Sequence, residues 1–353
     1  MQALRRMLAA AGAVVGPAFL AAQRRRGAGV VALYHRVSPD PDPSYPPVRP
    51  DVFARHLDYL ARSFALLPIR EFLDRRRAGR ALSGCCALTF DDGYRDFRDH
   101  AAPALRKRGI VVGHYLVTDC LNTGRATWNL RLNRVLRWSH PSSTLRDGNK
   151  EAGPGAAASG RIPSGGAASA TTDGWVLPNG DCVSPADLKD RLGSLSPEAR
   201  EAWLLQAEAG LSGAPPEPPL LTLDEVRQWD PGTVEWGSHT TSHANLGSCP
   251  PALIERELRG SRELLEQALG REIRVISYPN GSYSPDVLRI AAEAGYTEGF
   301  AVDQQEVGAG AALLAIPRFD IGLMPETMLA LELSGALSAL RGARGRLRGG
   351  RSG

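Results

Sequence analysis

Two short segments of this 353-residue chain combine acidic and imidazole side chains in patterns that suit hydrolytic chemistry. The first is Asp91-Asp92, which follows an apolar run and precedes a glycine. Adjacent carboxylates repel each other unless a cation lies beside them. One of the two can then bind a metal ion while its neighbour acts as a base. Asp-Gly is also a common turn dipeptide, and on its own this segment is better explained as a turn.

The second segment, residues 237–243, places two histidines four residues apart. His239 and His243 lie on one face if the segment is helical, or converge if it is a tight loop, and either arrangement suits zinc or another first-row divalent ion. Two surface histidines placed by chance are the alternative, although the chain has only 7 histidines. Together with one of the aspartates, His239 and His243 predict a metal site that polarises a carbonyl and lowers the pKa of a bound water to about 7. The second carboxylate takes the proton of that water.

The elements that must position these residues are short apolar runs that alternate with helical stretches, a pattern typical of parallel β-α-β units. In a parallel α/β barrel the loops after the strands face one mouth, so polar residues at the strand ends converge. His35, both aspartates, both histidines and Pro279-Asn280-Gly281 all follow such runs. The predicted strands are Val30–Tyr34, Cys85–Phe90, Val111–Val117, Val234–Gly237, Val275–Tyr278, Gly299–Val302 and Leu313–Ile316.

Helical spacing predicts one helix over residues 51–64, with Asp51 as its N-cap, and another over residues 101–108. His56 lies in a charged helical context and is predicted to face solvent. His114 lies in a predicted strand, where a hydrogen-bonded histidine in the core or at the barrel rim is expected rather than a metal ligand.

Composition limits the class of protein. A chain of this length with 43% hydrophobic residues can bury a sizeable core, which excludes disorder of the whole chain. No apolar run reaches the roughly 18 residues that a membrane-spanning helix requires. We predict one barrel over residues 30–333, interrupted by an insertion at about 121–219. Within the insertion, residues 147–174 have a low-complexity sequence and are predicted to be disordered.

Two basic arms flank the predicted barrel. Residues 1–29 and residues 334–353 each hold five arginines and no acid, so the body between them is net acidic. The first arm also contains an apolar stretch and is a candidate membrane anchor or signal, whereas the second is predicted to be a flexible tail. We expect peripheral membrane contact through these arms and no nucleic-acid binding, since aromatic residues are not interleaved with the basic ones. A cytoplasmic or membrane-associated location is favoured, export stays open, and the sequence does not indicate the oligomeric state.

Several segments resemble, in order and spacing, the motifs of the polysaccharide deacetylases, the NodB-homology carbohydrate esterases. They are LYHRV (33–37), TFDDGY (89–94), SHTTSH (238–243), YPNG (278–281), EAGY (293–296) and IPRFDI (316–321). The resemblance implies an α/β fold of the distorted (β/α) barrel type. It also implies metal-dependent removal of acetyl groups from an N-acetylated glycan or glycolipid.

The same resemblance assigns roles to individual residues. Asp91 is implied to be the catalytic base. Asp92, His239 and His243 are implied to bind a divalent metal ion, which we expect to be zinc, with cobalt or another first-row ion as the alternative.

The YPNG segment (278–281), which is the third motif of the family pattern, is expected to contact the substrate through Pro279, Asn280 and Gly281. The backbone N–H of Asn280 would help to hold the oxyanion, a role that needs no particular side chain. Tyr283, just after this motif, either flanks the sugar or only packs against its neighbours.

The chain departs from the family pattern at two positions that matter for the mechanism. Many members have an arginine where this chain has Ser277, and a histidine acting as general acid where this chain has Arg318. Arg318 either orients Asp91 and offsets its charge or forms a salt bridge at the barrel rim. His35 is expected near the metal, and these two residues are the candidates for the missing acid.

The leading hypothesis is therefore a metal-dependent hydrolase that removes N-acetyl or related acyl groups from a sugar. A second hypothesis keeps the chemistry but changes the substrate to another C–N bond, such as a formamide or a cyclic amide. A third is a non-catalytic glycan-binding protein on the same fold. The missing histidine supports the third hypothesis, while the intact base and metal-ligand positions oppose it.

Overall fold

The computed structural model describes residues 20–21, 24–138, 170–171, 174–177, 181–211, 214, 216–229 and 232–333. The chain divides into two compact units, one of residues 1–125 and 218–353 and the other of residues 126–217. Most of the predicted N-terminal segment, most of the low-complexity stretch and the whole basic tail lie outside the described residues. Among the helices that are described, none has both the length and the apolar character needed to cross a membrane.

The first unit is built on an eight-stranded sheet in which every neighbouring pair is parallel. The strands of the chain are β1 (Val30–Tyr34), β2 (Ala65–Leu66), β3 (Cys85–Phe90), β4 (Val112–Leu116), β5 (Ala170–Thr171), β6 (Gly174–Val176), β7 (Cys182–Val183), β8 (Val234–Ser238), β9 (Val275–Ser277), β10 (Glu298–Phe300) and β11 (Phe319–Asp320). The spatial order is β10-β9-β8-β4-β3-β1-β11, and β2 pairs with β3. The remaining three, β5 to β7, form a separate antiparallel sheet in the second unit.

Helices occupy the connections between the parallel strands, as the alternating sequence pattern requires. They are α1 (Pro50–Ser63), α2 (Ile69–Arg77), α3 (Ala102–Arg106), α4 (Thr118–Thr123), α5 (Trp128–Trp138), α6 (Pro185–Gly193), α7 (Pro197–Glu208), α8 (Leu223–Arg227), α9 (Pro251–Leu269), α10 (Pro285–Glu293) and α11 (Glu326–Leu333). Helix α1 begins at Pro50, which suits a first helical position because proline has no N–H to leave unpaired. The predicted N-cap at Asp51 is therefore wrong by two residues, since Arg49 precedes the helix and Asp51 lies in its first turn.

The two edges of the sheet are joined by the segment that runs from Ile316 to Phe319. Ile316 makes a parallel bridge to Phe300 on one edge, and Phe319 pairs with Ala32 of β1 on the other. The predicted strand at 313–316 is wrong, because residues 313–315 form a turn and only Ile316 pairs with a strand. The curled parallel sheet confirms the predicted distorted (β/α) barrel.

Strand β3 shows how the barrel directs its side chains. Cys85 and Ala87 pack in one apolar cluster with Tyr115 and Phe300 from other strands, whereas Cys86 packs in the cluster on the opposite face. The strand is buried on both faces, as expected for a parallel sheet covered by helices. Because side chains alternate along a strand, the face of Cys85 and Ala87 continues through Thr89 to Asp91.

The second unit has its own apolar core, formed by α5, α6, α7 and the small antiparallel sheet. Trp175 and Trp203 meet edge to face in this core, with ring centroids 5.5 Å apart. The buried Arg131 donates to the carboxylates of Glu201 and Glu208. A core of this kind shows that much of the predicted insertion is folded rather than a plain loop.

Candidate active site

The two aspartates lie at the carboxyl end of β3 and are both 1% exposed. Asp92 has φ 75° and Gly93 has φ 91°, so the chain turns sharply just after the strand. Asp-Gly is indeed a turn here, as the dipeptide alone suggests, but the turn also brings both carboxylates into the buried interior. The two explanations of this segment are therefore compatible.

The histidine segment is a loop rather than a helix. The N–H of His239 donates to the carbonyl oxygen of Leu116, which extends the pairing of β8 with β4. Beyond it, Thr240 and His243 have φ values of 68° and 60°, which fold the loop back on itself. The buried Glu257 of α9 accepts hydrogen bonds from the N–H and the hydroxyl of Ser242, at 2.8 and 2.7 Å. The two imidazoles converge because this loop is held at both ends.

Asp92, His239 and His243 form a compact cluster that can hold a metal ion. One ligand atom from each lies within 4.8 Å of the others. Asp92 Oδ1 is 3.5 Å from His239 Nε2 and 3.4 Å from His243 Nε2, and it is a buried oxygen with no hydrogen-bond partner among the described residues. A buried carboxylate oxygen left in this way is costly unless a cation satisfies it. The three residues therefore fit a divalent metal ion.

The protonation state of His239 also suits a ligand. Its Nδ1 lies 2.7 Å from the carbonyl oxygen of Ser277, which can only accept, so Nδ1 carries the proton and Nε2 presents a lone pair to the cluster. Burial, together with the charge of His243, lowers the pKa of His239 to about 4 despite the nearby aspartates. The imidazole is then neutral at pH 7.

Asp92 is held in its ionised form. Burial on its own would raise the pKa of this carboxyl, but the adjacent imidazoles of His243, His35 and His239 outweigh it and lower the pKa well below its usual range. The other oxygen, Oδ2, accepts a hydrogen bond from the hydroxyl of Tyr45 at 3.2 Å. Burial and the neighbouring Asp92 in turn raise the pKa of Tyr45, which keeps the phenol protonated as a donor.

Asp91 does not join the cluster through a short contact but lies beside it, with Oδ2 3.9 Å from His239 Nε2. Arg318 donates to both of its oxygens, at 2.9 and 2.7 Å, and Ser277 Oγ donates to Oδ2 at 2.9 Å. Burial would raise the pKa of Asp91, but the charge and the hydrogen bonds of Arg318 outweigh it and lower the pKa to about 2. The carboxylate is therefore ionised and fixed in one orientation.

Comparison with known proteins finds similarity to polysaccharide deacetylases. A family model for polysaccharide deacetylases matches residues 214–299, which include both histidines and the third motif but not the aspartates. YxkH of Bacillus subtilis strain 168, named as a candidate polysaccharide deacetylase, is 24% identical over 98 residues, or 28% of this chain and 35% of YxkH. The resemblance to the polysaccharide deacetylases is confirmed.

Solved structures of deacetylases have the same fold. Streptococcus pyogenes deacetylase PplD in complex with acetate is 18% identical, with a TM-score of 0.55 over 87% of this chain and 98% of PplD. A Bacillus cereus polysaccharide deacetylase is 16% identical, with a TM-score of 0.53 over 87% of this chain and 69% of that protein. IcaB from Ammonifex degensii is 16% identical, with a TM-score of 0.52 over 87% of this chain and 97% of IcaB. At such identities the likeness shows the fold.

Arg318 and Ser277 are the two residues at which this chain departs from the deacetylase pattern, and the structure places their side chains in contact. Arg318 Nη2 donates to Ser277 Oγ at 2.7 Å, and both side chains contact Asp91. Arg318 is fully buried, and Nη1 also donates to Thr89 Oγ1. Its position follows from the closure of the barrel, because Arg318 lies between the bridge at Ile316 and the strand β11. Arg318 was expected either to orient Asp91 or to form a salt bridge at the barrel rim, and the structure shows the contact with Asp91.

His35 follows β1 directly and is partly exposed, unlike the metal cluster. Its ring meets the ring of Tyr45 edge to face, with centroids 5.7 Å apart. It is close enough to both aspartates for its charge to lower the pKa of each. The structure thus places a solvent-accessible imidazole beside the buried carboxylates.

The third deacetylase motif forms a 3-10 turn over Pro279–Gly281. Asn280 has φ 55° and donates from Nδ2 to Asn245 Oδ1 at 2.6 Å, which ties the turn to the segment after the histidine loop. A Cβ atom on Gly281 would lie 2.8 Å from the backbone nitrogen of Val302, so this position requires glycine. Tyr283 is 37% exposed and lies with its ring 5.9 Å from that of Tyr278.

Backbone strain is concentrated at this site. Among the described residues, five non-glycine residues have positive φ, and four of them lie in the motifs just described. They are Asp92, Thr240, His243 and Asn280. Each such conformation costs of the order of 1–3 kcal/mol and persists only where the surrounding structure imposes it.

Sequence reasoning missed two groups that hold the cluster. Tyr45 lies in a proline-rich loop that has no periodic pattern, and Glu257 looks like an ordinary acidic position of an amphipathic helix. No spacing in the sequence connects Tyr45 with Asp92 or Glu257 with Ser242, because both contacts depend on the tertiary fold. Only a structure can identify such partners.

Proposed function

We propose that this protein is a metal-dependent hydrolase that removes N-acetyl groups from an N-acetylated sugar of a polysaccharide or glycan precursor. The observation that carries the proposal is the position of Asp91 beside the cluster of Asp92, His239 and His243. Metal-assisted hydrolysis uses a base beside the metal ligands, and Asp91, held by Arg318, lies in that position. Carbohydrate binding alone requires neither the base nor the metal ligands.

Asp92, His239 and His243 would hold the metal ion. Three protein ligands of N and O type are usual for catalytic zinc, and cobalt or another first-row ion can use the same donor set. When bound, a divalent ion supplies Lewis-acid polarisation of the amide carbonyl and makes water more acidic. Ser277 contributes through its carbonyl oxygen, which fixes the tautomer of His239.

Asp91 would accept a proton from the attacking water. Its carboxylate is ionised throughout the neutral range, and the two parallel hydrogen bonds from Arg318 keep it from rotating. General-base catalysis of this kind contributes about 10²–10⁴-fold to the rate.

His35 would donate the proton that the leaving amine requires. Of the two candidates for this role, Arg318 is excluded because a guanidinium does not deprotonate in proteins and this one is fully buried on Asp91. His35 is partly exposed and can exchange protons with solvent. The backbone N–H of Asn280 would help to hold the oxyanion, and Tyr283, at the surface beside this turn, would contact the sugar.

Acetate is the product expected from this reaction. The S. pyogenes deacetylase PplD, which shares the fold, has been solved in complex with acetate. An N-acetylated glycan is therefore the substrate class we favour over a formamide or a cyclic amide.

Release of acetate from a panel of N-acetylated oligosaccharides tests the proposal. We expect release that stops on chelation and returns when zinc or cobalt is added. A matched panel of formamides and cyclic amides should give no product. Metal-dependent turnover of that second panel alone would replace the substrate assignment, and no turnover of either panel by the metal-loaded protein would favour a glycan-binding protein.

The basic arms suggest that the protein works at a membrane surface. Arginine-rich segments are attracted to anionic lipid. We propose peripheral contact with anionic lipid through residues 1–26 and, on that basis, a membrane-associated location. Deletion of residues 1–26 should reduce binding to anionic vesicles, and unchanged binding would contradict the proposal.

A further inference from the structure

The two oxygens of the Asp92 carboxylate have different surroundings. Oδ1 faces the imidazoles of His239 and His243 and has no hydrogen-bond partner among the described residues. Oδ2 accepts the hydroxyl of Tyr45 at 3.2 Å. The phenol thus distinguishes one oxygen from the other on a side chain that is otherwise symmetric.

Tyr45 is itself fixed by the loop that carries it, between β1 and α1. Asp42 Oδ1 accepts the N–H groups of Ser44 and Tyr45, at 2.9 and 3.3 Å, which closes a tight turn just before the tyrosine. Arg36 Nη1 donates to Asp42 Oδ2 at 2.7 Å and to the carbonyl oxygen of Tyr45 at 3.0 Å. The backbone of Tyr45 therefore has hydrogen bonds on both sides.

Arg36 is a firm anchor for this loop. It is only 6% exposed, its Nε donates to Asp96 at 2.8 Å, and its guanidinium lies 5.1 Å from the ring centroid of Tyr94. Tyr94 also packs against the ring of Tyr45, with centroids 5.8 Å apart, while His35 meets the same ring from another direction. The ring of Tyr45 is thus confined by aromatic neighbours and its backbone by charged ones.

We propose that Tyr45 is a positioning residue for the metal centre, which it orients by holding Asp92 Oδ2 so that Oδ1 alone serves as the metal ligand. The inference rests on the proposed function, because it concerns the same cluster. Groups that hydrogen-bond to a metal ligand typically change metal affinity by 10–100-fold when they are removed. Without the phenol, the carboxylate can rotate and engage the metal ion through either oxygen or both.

Tyr45→Phe tests the inference, since it deletes the hydroxyl and keeps the ring that packs against His35 and Tyr94. We expect the affinity for Zn²⁺, measured by competition with a chromophoric chelator, to fall 10–100-fold. We also expect the visible absorption of bound Co²⁺ to change, because that spectrum reports the number and arrangement of ligands. Tyr59→Phe, which removes a hydroxyl from a half-buried position of α1, is the matched control and should change neither quantity.

Asp42→Asn tests the route by which the loop acts. The amide oxygen can still accept from Ser44 and Tyr45, but the ion pair with Arg36 is lost. We expect a smaller loss of Zn²⁺ affinity than in Tyr45→Phe. Adding Asp42→Asn to Tyr45→Phe should cause no further loss of Zn²⁺ affinity, because both changes act on the hydrogen bond between Tyr45 and Asp92.

Unchanged Zn²⁺ affinity and an unchanged Co²⁺ spectrum in Tyr45→Phe would overturn this inference while leaving the proposed function intact. A parent protein that binds Zn²⁺ but releases no acetate would overturn the proposed reaction alone, and the affinity ratio would still support the role of Tyr45. A parent protein that binds neither ion would overturn both.

Discussion

Arg318 holds Asp91 through two parallel hydrogen bonds, Nη1 to Oδ1 at 2.9 Å and Nη2 to Oδ2 at 2.7 Å, although the two residues are 227 positions apart in the chain. Both side chains are buried, so each neutralises a charge that would otherwise be costly to bury. Ser277 completes the arrangement by donating to Asp91 and accepting from Arg318. Where the family pattern has an arginine, this chain has Ser277. Ser277 contacts Asp91 together with Arg318, which comes from a later segment of the chain.

Arg318→Met should be strongly destabilising, because it leaves the Asp91 carboxylate buried without its cation. We expect the free energy of unfolding, measured in urea, to fall by about 3–5 kcal/mol. Asp91→Asn combined with Arg318→Met should lose less than the sum of the two single changes. Additive losses in the double variant would show that the two residues do not depend on each other.

Arg318→Lys separates charge from orientation. Lysine keeps the positive charge but cannot form the two-pronged contact with a carboxylate. We expect kcat for acetate release to fall at least tenfold with little change in KM, since the base is no longer fixed. Wild-type kcat in this variant would mean that charge alone is sufficient.

His35→Gln should abolish the proton donor without removing the base or the metal ligands. We expect kcat for an N-acetylated sugar to fall by about 10²–10⁴-fold. An aryl acetate, whose leaving group departs without protonation, should be hydrolysed by the variant at nearly the parent rate. Equal losses on both substrates would assign His35 a role other than proton donation.

Gly281→Ala and Gly270→Ala form a matched pair, since both glycines have φ values near 65°. Each substitution forces a left-handed alanine, which costs about 1–2 kcal/mol. Only at position 281 does the new Cβ also approach the backbone of Val302, whereas at position 270 no atom lies within 4 Å. We expect Gly270→Ala to lose stability but keep its activity, and Gly281→Ala to lose both. Full activity in Gly281→Ala would show that the third motif does not need its observed shape.

Buried histidines should make the metal-free protein sensitive to acid, and two of them, His56 and His114, lie outside the metal cluster. Burial lowers the pKa of His56 to about 4 and that of His114 to about 3, from 6.5 for an exposed imidazole. Between pH 6.5 and the pKa values in the folded protein, the unfolded chain binds more protons than the folded one. The stability present above pH 6.5 is therefore lost as the pH falls through the folded pKa values. Each unit of lowering is worth about 1.4 kcal/mol.

His114→Phe tests this expectation, because the ring is fully buried and packs against Phe97 and Trp236, contacts that phenylalanine can keep. Urea unfolding with chelator present should show a weaker dependence of stability on pH between 6.5 and 3. The stability at pH 7 should be unchanged or higher. A pH dependence identical to that of the parent would contradict the assignment.

The sequence predicted the strands well where an apolar run was bounded by polar residues. Val30–Tyr34 and Cys85–Phe90 are observed with the predicted bounds. The predicted strand at 313–316 is wrong because the two edges of the sheet are joined only by the bridge at Ile316 and the two-residue strand Phe319–Asp320. Elements this short leave no periodic pattern in the sequence. Pairing across the barrel, not local composition, selected Phe319–Asp320.

Prediction was weaker for the surroundings of polar residues. His56 was predicted to face solvent because charged residues flank it, yet it is fully buried, with Nδ1 3.2 Å from the hydroxyl of Tyr34. Its position three residues after Phe53 places it on the apolar face of α1, which the periodicity already indicated. His114 is a core residue, as expected. Motifs locate reactive groups, whereas the partners that orient them come from distant parts of the chain.

The central claim is a division of roles between the two aspartates, and bound zinc measured together with acetate release in the same samples tests it most directly. Asp91→Asn should bind one zinc ion per chain as the parent does and release no acetate, whereas Asp92→Ala should lose both zinc and acetate. Asp224→Asn, at an exposed position of α8, should behave as the parent. Normal turnover by Asp91→Asn, or full zinc binding by Asp92→Ala, would contradict the account.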